Sequence, residues 1–153
     1  MTQNDQKALL DYALVLLGNR EHSYLELQNK LSTRSTDLQL ITNVIEELIH
    51  KGYQSNQRFT ESYIRSRVRK GYGEVRLTLE LRQKGIDSEQ IKQTLLAAEI
   101  DWFEVARQVK EKKFGAAYEV SFAKRAKQQR FLQYRGFNFD QIHFAVSKKT
   151  EED

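Results

Sequence analysis

Cysteine is absent from all 153 residues, which excludes disulfides and any thiolate-ligated metal and suits a reducing compartment. Proline is absent as well, and there are only seven glycines. With Leu, Glu, Lys, Arg, Gln and Ala abundant and no proline to break it, the chain favours helix throughout. Long apolar runs are also missing. The longest, Ala13 to Leu17, is far shorter than the ~18 residues a membrane span needs. The first residues, Met1-Thr2-Gln3-Asn4-Asp5-Gln6-Lys7, lack the charged-then-apolar layout of a signal peptide. A cytoplasmic protein without membrane association is expected.

Catalytic patterns are scarce too. His22, His50 and His143 lie far apart, and none sits in a metal-ligand spacing such as His-Glu-x-x-His. His22 falls in a cap region and His50 at a helix end, so both are expected at the surface. Lys70-Gly71-Tyr72-Gly73 has too few glycines, and no following Lys-Ser/Thr, to cradle a phosphate. The expectation is therefore no enzyme, no cofactor and no metal.

What is present is a phrase used more than once. Leu25-Glu26-Leu27-Gln28-Asn29-Lys30 reads almost like Leu79-Glu80-Leu81-Arg82-Gln83-Lys84. Lys84-Gly85-Ile86-Asp87-Ser88-Glu89-Gln90-Ile91 likewise matches Arg135-Gly136-Phe137-Asn138-Phe139-Asp140-Gln141-Ile142. A period of about fifty residues in a helical chain points to one supersecondary unit used three times. Such arrays usually serve as binding surfaces. The boundaries fall at 1–55, 56–100 and 101–153, each unit holding three short helices.

In the first unit, Leu9, Leu10, Ala13, Leu14 and Leu17 recur at helical spacing up to Gly18-Asn19. Ser23 with Glu26 forms a capping box, and Asp37 caps a helix with Leu38, Ile41, Val44 or Ile45, and Leu48 inward. The second unit begins near Asn56, turns Phe59, Tyr63, Ile64 and Val68 inward, and pauses at Gly71-Tyr72-Gly73. Val75 to Leu81 alternates like a strand, but its likeness to Leu25–Lys30 argues for helix. Asp87 or Ser88 then caps a helix through Ile91, Leu95 and Leu96. The third unit starts near Asp101, with Trp102, Phe103, Val105, Ala106 and Val109 inward. Phe122, Ala126 and Leu132 mark the next helix, which stops at Gly136, and Asn138 caps a last one through Ile142 and Val146. Glu151-Glu152-Asp153 reads as a frayed tail.

The net charge is only +4, but it is unevenly spread. Residues 1–56 are net −2, whereas 57–84 are net +5 and 102–135 net +6. Two basic clusters stand out: Arg65, Arg67, Arg69, Lys70 and Arg76, then Lys124, Arg125, Lys127, Arg130 and Arg135, the latter interleaved with Phe131, Tyr134 and Phe137. Cations would meet phosphates and rings would stack on bases. An acidic protein groove would attract the same field, however, and both interactions weaken with salt. Phe131 and Phe137 are expected in the core.

The ordered set of local phrases resembles the RecX family, regulators of the RecA recombinase. The first is Arg20-Glu21-His22-Ser23-Tyr24-Leu25-Glu26-Leu27-Gln28-Asn29-Lys30-Leu31. The second is Ser66-Arg67-Val68-Arg69-Lys70-Gly71-Tyr72-Gly73, continuing through Arg76, Glu80-Leu81 and Lys84-Gly85-Ile86. The third is Gln129-Arg130-Phe131-Leu132-Gln133-Tyr134-Arg135-Gly136-Phe137. With Gly52-Tyr53 and Arg58-Phe59 they span nearly the whole chain. Two departures stand out. Gln54-Ser55-Asn56 replaces residues commonly acidic in the family, which bears on how the first two units join, and Glu74 stands where proline often follows Gly-Tyr-Gly.

The resemblance implies an all-α array of three tandem three-helix repeats, elongated and curved. It also implies a monomer that lies in the groove of RecA filaments on DNA and mainly inhibits recombination. The two basic clusters would make the contacts, and Gly71, Gly73, Gly85 and Gly136 would set the helix ends. Reversing Arg67 and Arg69 to Glu is then expected to weaken inhibition while leaving helicity intact. The rival expectations are a helical protein that binds single- or double-stranded DNA, or RNA, without RecA, and a structural adaptor.

Overall fold

The computed structural model describes residues 3–149, and among them it contains nine helices and no strand. In chain order these are α1 (Gln3–Asn19), α2 (Tyr24–Leu31), α3 (Leu38–His50), α4 (Asn56–Arg69), α5 (Glu74–Gln83), α6 (Ser88–Ala97), α7 (Trp102–Phe114), α8 (Phe122–Arg135) and α9 (Phe139–Val146). The alternating stretch Val75 to Leu81 is thus helical, with Leu77 and Leu81 buried and Val75 and Leu79 exposed. Met1, Thr2 and the tail from Thr150, including Glu151-Glu152-Asp153, lie outside the described residues.

Helix starts follow the side-chain oxygens that the sequence supplies. The Ser23 hydroxyl accepts from the Glu26 N–H, and the Glu26 carboxylate accepts from the Ser23 N–H, each at 3.1 Å. Asp37, Asp101, Ser121 and Asn138 cap α3, α7, α8 and α9 by accepting from the N–H three residues on, and only Asn138 with Gln141 repeats the reciprocal box. α4 starts at Asn56 and is capped by Ser55, whose hydroxyl accepts from the Arg58 N–H at 3.1 Å. Each cap satisfies a donor that the helix cannot pair internally, worth about 1 kcal/mol.

The repeated phrases correspond to repeated turns. The turn after α5 contains Gly85 (φ +83°) and the turn after α8 contains Gly136 (φ +101°). After each glycine the next N–H reaches back to the last turn, Ile86 to the Leu81 carbonyl and Phe137 to the Leu132 carbonyl. Asp87 and Asn138 follow as caps of the next helix. Only glycine takes this left-handed backbone without strain. Gly73 is needed for another reason. Its φ is not positive, but a Cβ there would lie 2.5 Å from the Gly136 carbonyl carbon and oxygen.

The described chain divides into two compact units. The first comprises residues up to Tyr63 together with Leu81–Thr94. Its core packs Leu9 and Ala13 of α1 against Leu27 and Leu31 of α2 and Leu40, Ile41, Val44, Ile45 and Leu48 of α3. The second comprises Ile64–Glu80 and the chain from Leu95 onward. There Ala106, Leu132, Phe137, Ile142, Ala145 and Val146 form the core, with Trp102, Val105, Val109 and Phe131 partly buried against it.

Some residues expected inside are not. Leu38 is 68% exposed and Phe103 43%. Both lie in the first turn of a helix, where the 100° step per residue has carried the side chain off the packed stripe. His22, expected at the surface, is buried. Burial lowers its pKa, against the hydrogen bond between Nδ1 and the Arg20 carbonyl at 3.0 Å, which raises it. His50 is exposed.

Candidate functional site

The first basic cluster occupies α4 and the start of α5, and the second lies along α8. Within them the structure separates open cations from engaged ones. Arg65, Arg69 and Lys70 are exposed, as are Lys124, Lys127 and Arg130, and none of these side chains forms an ion pair among the described residues. Arg65 and Arg69 are one turn apart on α4, whereas Lys127 and Arg130 are neighbours at i, i+3 on α8.

Arg67, Arg76 and Arg135 are brought together around one ring. Their guanidinium carbons lie 3.7, 4.5 and 4.7 Å from the Tyr72 ring centroid. The Glu80 carboxylate accepts from Arg67 at 2.8 Å and from Arg76 at 3.2 Å. Arg135 donates to the Lys70 carbonyl at 2.8 Å and Arg76 to the Tyr134 carbonyl at 3.3 Å. The backbone completes the joint: the Gly73 N–H donates to the Arg135 carbonyl at 2.8 Å and the Val75 N–H to the Gly136 carbonyl at 3.1 Å. These arginines therefore tie the α4–α5 turn to the end of α8 within the second unit. Each cation–π contact contributes about 0.5–2 kcal/mol, and the half-buried Glu80 offsets the mutual repulsion of Arg67 and Arg76.

One expectation changes accordingly. Reversing Arg67 would set a second carboxylate beside Glu80 and remove a cation from Tyr72, so that substitution tests packing as much as binding. Replacing Glu80 with Ala is expected to destabilise the second unit by about 1–2 kcal/mol, since it removes a carboxylate that accepts from two partly buried guanidiniums. Urea unfolding followed by Trp102 fluorescence checks this, because Trp102 packs against that unit's core. An unchanged midpoint would remove Glu80 as the keystone of the arginine group.

Other cations in the second block are also committed. Arg125 donates to the Glu119 carbonyl at 2.9 Å and lies over the Tyr118 ring. Lys110 is buried, and its ammonium donates to the Gly115 and Ala117 carbonyls at 2.9 and 3.0 Å, closing the α7–α8 loop. Arg107 bonds both Glu104 and Glu111. By contrast Lys112 and Lys113 are exposed and form no ion pair among the described residues, although neither belongs to the two basic clusters that stand out in the sequence. The run Lys110-Glu111-Lys112-Lys113 was the available signal.

In the first unit the unusual Gln54-Ser55-Asn56 forms an amide network. The Gln54 Nε2 donates to the His22 carbonyl at 3.2 Å and to Asn56 Oδ1 at 3.0 Å, and Asn56 Oδ1 also accepts from the Tyr24 N–H at 2.9 Å. The start of α2 is thereby held to the start of α4 by neutral groups. Among the described residues no helix is long and apolar enough to cross a membrane.

The family model for the second three-helix domain of RecX matches residues 55–95, and that for the third three-helix domain matches residues 99–146. The Regulatory protein RecX of Halorhodospira halophila is 41% identical over 147 residues, covering 96% of this chain and 91% of that one. The protein of the same name from Vibrio cholerae serotype O1 is 41% identical over 141 residues, covering 92% and 93%. The crystal structure of RecX from Lactobacillus salivarius superimposes with a TM-score of 0.77 at 23% identity, covering 95% of this chain and 96% of that chain, which speaks for the fold.

Proposed function

The chain belongs to the RecX family, and from that premise we propose that it regulates a RecA recombinase, mainly as an inhibitor, by docking on RecA–DNA filaments. The observation carrying this reading is the set of exposed cations on two helices that pair with no carboxylate among the described residues: Arg65, Arg69 and Lys70 around the end of α4, and Lys124, Lys127 and Arg130 on α8. Arg67, Arg76 and Arg135 belong to the same surface as positioning residues, and Arg125 holds the loop before α8. We read the chain as three three-helix repeats. A series of similar modules, each with a weak contact, suits a partner that itself repeats, because linked contacts raise avidity when the spacing fits. The role is that of a binding protein with no reaction of its own.

The test is the single-stranded-DNA-dependent ATP hydrolysis of RecA, titrated with this protein. Inhibition well below one molecule per RecA protomer is expected. R65E/R69E and K127E/R130E are each expected to weaken it about tenfold, with circular dichroism unchanged, since reversing open charges removes attraction without disturbing packing. Undiminished inhibition by both variants would remove these surfaces from the reading.

The exposed rings of Phe122 and Tyr134, on the same helix as the open α8 cations, favour a second reading, direct binding to DNA or RNA without RecA. If about five phosphates are neutralised, log affinity for duplex DNA should fall with log salt at a slope near −4.5. That slope on naked strands, with no effect on ATP hydrolysis, would replace the first reading by the second.

A further inference from the structure

A groove of about 560 Å³ opens in the second unit, lined by the end of α4 and by α7 and α8. Its apolar surface is made by Val68, Val105, Val109 and Phe131. Five cations line it as well, Arg69, Lys70, Lys112, Lys113 and Arg135, and no carboxylate does. Gly71 forms part of the wall: its φ is +89°, and a Cβ there would come within 3.0 Å of Val109 Cγ2.

The chemistry of this lining selects its occupant. The volume falls in the range of ligand sites, roughly 300–1,000 Å³. Phe131 is engaged by Arg135 at 5.0 Å and Lys113 at 5.5 Å and packs edge-on with Phe114. The ring is thus already partnered, whereas a base would need a free face to stack on. The three valines instead suit an aliphatic or aromatic side chain, and the cations suit carboxylates on either side of it.

We propose that this groove docks an acidic peptide segment, with one apolar side chain against the valines and flanking carboxylates on Arg69, Lys70, Lys112 and Lys113. The inference rests on the proposed regulatory function only in assigning that segment to the regulated protein. It adds a defined pocket and two lysines, Lys112 and Lys113, to a surface otherwise described by scattered charge.

The probe is a fluorescein-labelled peptide of roughly ten residues, Asp and Glu around a single Phe, titrated with the full chain at physiological salt. Anisotropy reports affinity, and methyl NMR reports the site. Saturable binding is expected, with shifts confined to the methyls of Val68, Val105, Val109 and their neighbours. K112E/K113E should weaken binding at least about tenfold, and replacing the peptide's Phe by Ser should do so by a similar factor.

Absence of binding would overturn the proposal. So would affinity indifferent to either change, or a single strand of about twelve bases that displaces the peptide and shifts the same methyls more tightly. Inhibition of RecA without peptide binding would overturn the groove and leave the regulatory reading standing. Peptide binding without any effect on RecA would do the reverse.

Discussion

G136A is expected to lower the unfolding midpoint of the second unit by about 6–12 °C, corresponding to roughly 3 kcal/mol in a chain of this size. Two costs coincide at this residue. The backbone φ of +101° strains any side chain, and the added Cβ would lie 2.4 Å from Arg76 Cβ and 2.7 Å from the Arg76 nitrogen. The clash is with Cβ and backbone, so no flexible side-chain tip can swing away. Relief requires α5 to separate from the end of α8. That breaks the hydrogen bonds from Gly73 to the Arg135 carbonyl and from Val75 to the Gly136 carbonyl, and it pulls the arginines off Tyr72. G73A is expected to act in the same direction through sterics alone. G18A is the control, because nothing lies within 4 Å of a Cβ at Gly18, in α1; there Ala should be neutral or stabilising by about 0.5–1 kcal/mol. Trp102 fluorescence reads the second unit, and G136A melting like the wild type would refute the close approach.

E26Q is expected to cost about 2–3 kcal/mol at pH 7 and almost nothing near pH 2. Burial pushes the Glu26 pKa up, but hydrogen bonds from Arg20, the Ser23 N–H and Lys84 outweigh it and hold the carboxyl down at about 2 rather than 4.5. Arg20 donates twice, at 3.0 and 3.1 Å, and the Ser23 N–H and the Lys84 ammonium donate once each at 3.1 Å. A carboxylate more acidic in the folded state than in the unfolded one contributes its full stability above the unfolded value. That contribution fades as pH falls from about 4.5 to about 2. Comparing wild type with E26Q cancels the other carboxylates, which titrate in both proteins. Urea unfolding by far-ultraviolet circular dichroism at pH 7, 4 and 2 should show the gap closing. A gap that stays constant would mean that Glu26 acts through shape rather than charge. Lys84 ties this prediction to the repeat, since the Lys84 ammonium reaches the carboxylate of the earlier copy of the phrase.

Much of the helical order was legible because its signals are local. The Ser23–Glu26 box, the caps at Asp37, Asp101 and Asn138, and the glycine stops at Gly85 and Gly136 depend on residues within a turn of one another, so they survive translation from sequence to structure. The stripes failed at Leu38 and Phe103, because periodicity gives a helix face but not where along the helix its neighbour ends. His22 was misplaced for a related reason. A cap position says nothing about the Gln54 amide that packs against it from more than a turn away.

The candidate site shows the same boundary between local and distant information. Composition and charge distribution by themselves determined a helical protein with two basic blocks and a repeated glycine turn, since each of these follows from residue type and spacing of a few residues. Which basic residues remain open was decided only in three dimensions. Arg67 and Arg69 are two residues apart and chemically identical, yet one is held by Glu80 and Tyr72 and the other faces solvent. The groove of Val68, Val105 and Val109 likewise exists only because the ends of α4, α7 and α8 meet. Charge is a property of a residue, but its availability depends on neighbours brought from tens of residues away, and no local pattern encodes those.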